Sequence, residues 1–173
     1  MSATSLMTFA EFEQLPEEPG KMELIDGEVI HMPPPKNRHA TIAKRIYRLL
    51  TNAIDEAHVW HEAGYRIGGG WLRPDVSVTW PDQATENDYY LRSPMIAVEV
   101  LSPGNAAAQI DRKLTLYAAE GVGEIWVIND RHKTMTIYRG DRVIRLGQAD
   151  KYVSELAGVT VDVGRVLEQA GPV

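Results

Sequence analysis

A chain of 173 residues, 44% hydrophobic and 24% charged, has the size and balance of one folded domain with a buried core. Its formal charge of −6 argues against indiscriminate nucleic-acid binding, although not against a local basic face. Without cysteine there is no disulfide framework and no thiolate metal site, and a reducing, cytoplasmic setting is expected; without a basic-then-apolar start or an apolar run near ~20 residues, neither a signal peptide nor a membrane span is expected.

Thr8-Phe9-Ala10-Glu11 has the capping-box pattern and predicts a short helix to about Leu15, ended by Pro16 through Gly20. Lys21 to Ile25 and Glu28 to Met32 read as paired strands around Asp26-Gly27, a tight-hairpin signal. After the stiff Pro33-Pro34-Pro35, a helical period from Asn37 to about Ala57 puts Ile42, Ile46, Leu49, Leu50, Ala53 and Ile54 on one face. Lys44, Arg45 and Arg48 fall on the other. His58 to Ile67 predicts a strand and Gly68-Gly69-Gly70 a turn. Leu72 to Trp80 predicts a further strand, with Val76, Val78 and Trp80 alternating against Asp75, Ser77 and Thr79. Pro81 to Ser93 reads as a polar, irregular loop. A buried strand follows Pro94, then a helix from Asn105 to about Gly121 with Ile110, Leu114 and Tyr117 on one stripe and Lys113 at its border. Glu124 to Ile128 is a second buried strand. Thr134 to Tyr138 pairs with Val143 to Leu146 around Gly140-Asp141; Val159 to Val163 and a short helix close the chain. No repeat or linker interrupts it, so residues 1–173 read as a single domain.

The chemistry starts at Glu99, one carboxylate inside the apolar run Met95-Ile96-Ala97-Val98-Glu99-Val100-Leu101. A buried carboxylate costs several kcal/mol unless it is protonated, paired or metal-bound. Either an ion pair with Arg73, Arg112 or Lys113 or a metal ion satisfies it. Asp75, early on the preceding strand, and Lys113, on the following helix, complete a candidate site for a hard divalent cation. His61-Glu62 lacks zinc-motif spacing, and Gly68-Gly69-Gly70 is followed by neither a helix nor the lysine of a phosphate loop.

The order from Asn37, helix, three strands, helix, strand, resembles the restriction-endonuclease-like, or PD-(D/E)xK, core, here with an N-terminal helix plus hairpin and a C-terminal β extension. Glu23-Leu24-Ile25-Asp26-Gly27-Glu28, Pro33-Pro34 followed by His39, Arg73-Pro74-Asp75-Val76, Val98-Glu99-Val100-Leu101-Ser102-Pro103, Asp111 with Lys113 and Tyr117, and Gly121-Val122-Gly123-Glu124-Ile125-Trp126-Val127-Ile128 occur in the order of the Uma-two family of candidate endonucleases, which this chain resembles from roughly Thr8 to Tyr138. The nuclease signature has a lysine two residues after the second acid. That position is Leu101 here, and the family reading substitutes Lys113.

The resemblance implies metal-dependent hydrolysis of a nucleic-acid phosphodiester, DNA rather than RNA. Asp75, Glu99 and the Val100 carbonyl would hold Mg²⁺ or Mn²⁺, Lys113 would act on the water or the transition state, and Glu23 and His39 would be accessory. Lys44, Arg45 and Arg48 are the expected phosphate-contacting face, against the alternative of a solvated helix surface. A homo-oligomer, with a dimer favoured, is the expected assembly, and no membrane partner is expected. Two rivals remain at this level: a non-catalytic nucleic-acid-binding module that keeps the fold, and an interaction partner within a larger defence or mobile-element system.

Overall fold

The apolar runs around Val98 and Trp126 become the centre of a sheet covered on both faces. The computed structural model describes residues 6–16, 18–83, 88–102 and 107–169. In chain order these form α1 (Phe9–Phe12), β1 (Lys21–Ile25), β2 (Glu28–Met32), α2 (Asn37–Thr51), β3 (Val59–His61), β4 (Val76–Val78), β5 (Ile96–Leu101), α3 (Ala107–Ala119), β6 (Glu124–Asn129), β7 (Thr134–Arg139), β8 (Arg142–Leu146), β9 (Lys151–Ser154), β10 (Val159–Asp162) and α4 (Val163–Leu167). The main sheet runs β3-β4-β5-β6-β7-β8, and β1-β2 and β9-β10 are separate hairpins. β5 and β6 are parallel, a pairing that requires a crossover, supplied by α3.

Strand alternation divides the core. Val76, Val78, Ile96, Val98, Val100, Trp126 and Ile128 meet Ile42, Ile46 and Leu50 of α2 and the β9–β10–α4 extension. Ala97, Ile125 and Val127 point to the other face, with Tyr117 of α3 and Ile30 of β2. Glu99 shares the parity of Ala97, so its carboxylate lies on the α3 face. Local signals hold the periphery. The Thr8–Glu11 capping box forms, and Asp26 and Gly27 take positive φ of 50° and 76°, as a two-residue hairpin turn requires.

Several expected boundaries move. The strand expected over His58 to Ile67 is a 3₁₀ turn, Glu56–His58, followed by the short β3, because Glu62 adopts a left-handed φ of 48° and turns the chain away. The strand expected over Leu72 to Trp80 contracts to Val76–Val78. Pro74 lacks an N–H, and the segment before it pairs elsewhere, Trp71 with Leu24 and Leu72 with Tyr65. α2 stops at Thr51. α3 begins at Ala107, and Asn105 of the expected helix lies outside the described residues.

On the expected basic face of α2, Arg45 alone is placed otherwise. Lys44 and Arg48 are exposed, but Arg45 turns to α4 and donates to the Val166 carbonyl at 3.1 Å and to that of Glu168. Arg38 joins it, donating to the Leu167 and Glu168 carbonyls at 2.7 Å each. These guanidinium groups satisfy the carbonyls at the end of α4 and tie it to α2. Glu124, expected only as the start of a strand, is a fully buried acid. It accepts from Trp126 Nε1 at 2.8 Å and Tyr152 OH at 2.9 Å and joins the C-terminal hairpin to the sheet.

Arg38 also grips Asp130 through two bonds, 2.6 and 3.0 Å. Hydrogen bonding from Arg38, with Lys133 adding, lowers the Asp130 carboxyl to about 2 from an ordinary 3.8. A depressed folded pKa contributes stability that is present above the unfolded value and lost as pH falls toward the folded one. Asp130→Asn should therefore lose about 1 kcal/mol at neutral pH, after allowance for solvent screening. The deficit should shrink as pH falls from about 4 toward about 2. Urea melts of both proteins at neutral pH and at about pH 3 check this; an equal deficit at both would disprove the linkage.

Candidate active site

Five charged side chains from separate parts of the chain meet in the interior. Lys21 and Glu23 come from β1, Asp75 from the residue before β4, Glu99 from β5 and Lys113 from α3, all between 1% and 8% exposed. The strand registers explain the meeting. β4 and β5 pair Val76 with Val98, and the Asp75 N–H donates to the Val98 carbonyl at 3.0 Å, which sets Asp75 beside Glu99. Lys21 and Glu23 alternate onto one face of their strand, and Lys113 and Tyr117 are one helical turn apart on α3.

Two ammonium groups neutralise most of the acid. Lys21 Nζ lies 3.0 Å from Asp75 Oδ1. Lys113 Nζ lies 2.6 Å from Glu99 Oε1 and 2.9 Å from Glu23 Oε1. Neutral donors complete the set. The Val100 N–H donates to Asp75 Oδ2 at 2.7 Å, Tyr117 OH to Glu99 Oε1 at 2.8 Å and the Arg73 N–H to Glu23 Oε1 at 2.7 Å. His39 Nε2, from the first turn of α2, lies 3.1 Å from Asp75 Oδ2. Two buried atoms here have no hydrogen-bond partner among the described residues, Glu23 Oε2 and His39 Nδ1.

Burial and partners act oppositely on these groups. Burial alone would raise the Asp75 carboxyl, but Lys21, then His39, hold it well below the usual carboxylate range. Burial raises the Glu99 carboxyl, and the Lys113 ammonium only partly offsets it. Burial would lower the Lys113 ammonium, yet Glu23, Glu99 and Asp75 together hold it above the ordinary lysine value. Burial likewise opposes charge on His39, and Asp75 outweighs it, so the imidazole is shifted upward. Held above the ordinary lysine value, Lys113 is an ammonium near neutral pH. It can orient or stabilise charge but cannot take a proton.

The structure brings Asp75, Glu99, Lys113, Val100, Glu23 and His39 together. Lys113 is a correction to its expected place at the border of the apolar stripe, since it is 3% exposed. The partner of Glu99 is Lys113 and not the other two cations considered. Arg73 pairs with Glu62 at 3.5 Å, and Arg112 clamps Asp26 and Glu28 of the hairpin turn at 2.9 and 2.6 Å. Among the described residues, Lys44, Arg45 and Arg48 take no part in the contacts of this cluster. Sequence reasoning missed Lys21 and the Tyr117 hydroxyl. The available signals were the two-residue spacing of Lys21 from Glu23 and the four-residue spacing of Tyr117 from Lys113. Among the described residues, no group of three or more His, Asp and Glu stands arranged to hold a metal ion. No helix among them is long and apolar enough to cross a membrane.

The sheet, its crossover helix and the placement of the acids define a restriction-endonuclease-like fold. Its overall match to the crystal structure of a "putative nuclease belonging to DUF820" from Anabaena variabilis has a TM-score of 0.86, covers 93% of this chain and 97% of that one, and has 19% sequence identity, a likeness of fold. Residues 9–163 match the Uma2 family, described as "Putative restriction endonuclease", and the chain belongs to that family. It is also 29% identical over 109 residues to the "Uncharacterized protein slr1290" of Synechocystis sp., a match that covers 57% of this chain and 54% of that protein. The chain thus spans about half the length of the curated relative it matches.

The burial of Lys113 changes what its removal should do. Lys113→Met would leave Glu23 and Glu99 buried against each other without their shared cation. Breaking a buried pair in this way costs about 3–5 kcal/mol, whereas Lys44→Ala, on the exposed face, should stay within about 0.5 kcal/mol. Urea denaturation of both variants measures the difference. A Lys113→Met protein as stable as the parent would mean that the ammonium does not hold the two acids.

Proposed function

We propose that this cluster is the catalytic centre of a metal-dependent nuclease that hydrolyses phosphodiester bonds, in DNA in preference to RNA. The observation that carries this reading is a charge imbalance. Three buried carboxylates, Glu23, Asp75 and Glu99, face only two permanently charged groups, Lys21 and Lys113, His39 beside Asp75 adding a third charge only when protonated, and one oxygen of Glu23 has no partner among the described residues. Family membership supports phosphodiester chemistry, and the description of that family favours DNA.

The donor chemistry fits the implied cation. Mg²⁺ takes hard oxygen ligands, often only one or two carboxylates with water and substrate phosphate completing the shell. A paired Asp75 and Glu99 with the Val100 carbonyl meets that need without a cage of three or more acids. When bound, such a cation supplies an activated water and offsets charge on the attacked phosphate. The protein's own groups do the rest. Lys113, fixed between Glu23 and Glu99, presents a permanent positive charge to the developing negative charge, where preorganised electrostatics contribute most. Glu23 orients that ammonium; Tyr117 orients Glu99, and His39 and the Val100 N–H orient Asp75.

A second reading has its own observation. Each acid already has a cationic partner, and none is more than 5% exposed, as in a purely structural network inside a nucleic-acid-binding module. Plasmid nicking separates the two. With Mg²⁺ or Mn²⁺ the parent should convert supercoiled plasmid to nicked circles. Asp75→Asn and Glu99→Gln should lose at least about 100-fold in rate and also lose the Mn²⁺-dependent rise in melting temperature. Lys113→Met, assayed well below its melting temperature, should lose the rate yet keep that rise. A parent that binds nucleic acid but never cuts it, and whose melting is indifferent to Mn²⁺, would establish the second reading instead.

A further inference from the structure

Beside the acid cluster lies a cleft of about 720 Å³, within the size range of small-ligand sites, ~300–1,000 Å³. It opens at the carboxyl ends of the parallel strands β5 and β6, between the first turns of α2 and α3, where open α/β sheets place their ligands. His39 and Val100 line it, and both hydrogen-bond Asp75, so one wall of the cleft is the outer side of the site.

Its rim and floor differ in chemistry. Lys36, Arg131 and Arg145 line it; all three are exposed, and none makes an ion pair among the described residues. The lining also carries the apolar Leu114 and Val127 and the aromatic Tyr138, together with Thr134, Thr136 and the exposed carboxylate of Asp111. The sheet register sets the direction. Glu99 lies opposite Val127, Val127 opposite Thr136, and Thr136 opposite Arg145. At ~4.8 Å per strand, the Arg145 backbone stands roughly 14 Å from that of Glu99 along this row.

We propose that this cleft seats a single nucleic-acid strand, with its phosphates on Lys36, Arg131 and Arg145 and its bases on Leu114, Val127 and Tyr138, and that the protein prefers single strands to duplex. The substrate class rests on the nuclease reading above. The strandedness rests on the cleft. A duplex offers phosphates outward and hides its base faces, so it would leave the apolar floor unmatched. A single strand exposes both, the combination that cationic rims with aromatic platforms bind. The start of α2 adds to the match: Lys36 provides no side-chain cap and the first turn carries no acid, a helix start that favours an anion.

The test is fluorescence anisotropy in EDTA, where cutting cannot occur, with labelled single-stranded DNA, single-stranded RNA of the same sequence and the corresponding DNA duplex. The parent should bind at least one single strand about tenfold or more tighter than duplex. Lys36→Ala/Arg131→Ala/Arg145→Ala should weaken that binding about tenfold or more with an unchanged melting temperature. Loss of three single-strand phosphate contacts, each worth a slope of ≈ 0.7 in log K against log salt, should flatten the salt dependence by about 2. Lys44→Ala/Arg48→Ala should leave binding unchanged. Equal affinity for duplex, no single-strand binding, or a triple variant that binds like the parent would overturn the proposal. Cleavage of the same labelled single strands with Mg²⁺ or Mn²⁺ keeps the two readings apart. Expected binding without any cleavage sinks the nuclease reading alone, whereas cleavage with unaltered binding by the triple variant sinks the cleft alone.

Discussion

The buried set of three carboxylates and two ammonium groups is the constraint on which the rest of the fold depends. Each ion costs several kcal/mol to remove from water, and the attraction of its partner repays this only when the geometry is complete. The partners lie far apart in sequence, Lys21 with Asp75 and Glu23 with Lys113. The three acids are not all paired until the N-terminal hairpin, β4, β5 and α3 have docked. The hairpin shows this most clearly. Two strands alone are marginal in water, and β1-β2 forms its own sheet. It is fixed by the Leu24–Trp71 bridge, the Arg112 clamp on its turn and the two charged residues that it sends inward. Packing of Ile25 and Ile30 with the α3-side core provides the apolar part of that attachment.

How legible this was in sequence depends on the range of each interaction. Local signals read well. The Thr8–Glu11 cap, the Asp26-Gly27 turn and the β7–β8 hairpin are set by residues within a few positions. Glu99 was legible because a charge in an apolar strand is anomalous whatever lies around it. Lys21 was not, since a lysine opening a hairpin strand looks like any solvated edge residue until Asp75 arrives from 54 positions away. Arg45 misled for the converse reason. Helical periodicity assigns a face but not what later covers it, and α4 comes from the far end of the chain. The overlong strands around β3 and β4 have separate causes: Glu62 turns the chain away after β3 with its positive φ, and Trp71 and Leu72, before β4, are extended but pair outside the main sheet.

The departure at Leu101 has a geometric answer. Residues 99 and 101 share a strand face, so a lysine at 101 would project on the same side as Glu99. Leu101 instead packs with the α3-side cluster, and α3 lies over that face. A lysine on the buried stripe of α3 therefore reaches, from above, the carboxylate that a strand lysine would reach from alongside. The parallel pairing of β5 with β6 makes this available, because it obliges the chain to cross the sheet between them, and α3 is that crossing. Its position also lets one ammonium serve two acids, Glu99 below it and Glu23 from the hairpin, which a residue on β5 itself could do less directly.

The same topology decides from which side the cluster can be approached. Lys113 bonds two carboxylates and is 3% exposed, and Lys21 is 8% exposed. Displacing either strands a buried charge. His39 is held differently. It comes from the first turn of α2, shows a more exposed side chain than either lysine and touches Asp75 at 3.1 Å, while its ring also lines the cleft at the ends of β5 and β6. An imidazole can leave a carboxylate and find water without abandoning a full charge in the interior. The path of least cost from solvent to Asp75 therefore runs past His39. Glu23, Glu99 and their shared ammonium form the fixed back of the site, and His39 with the Val100 peptide forms its front.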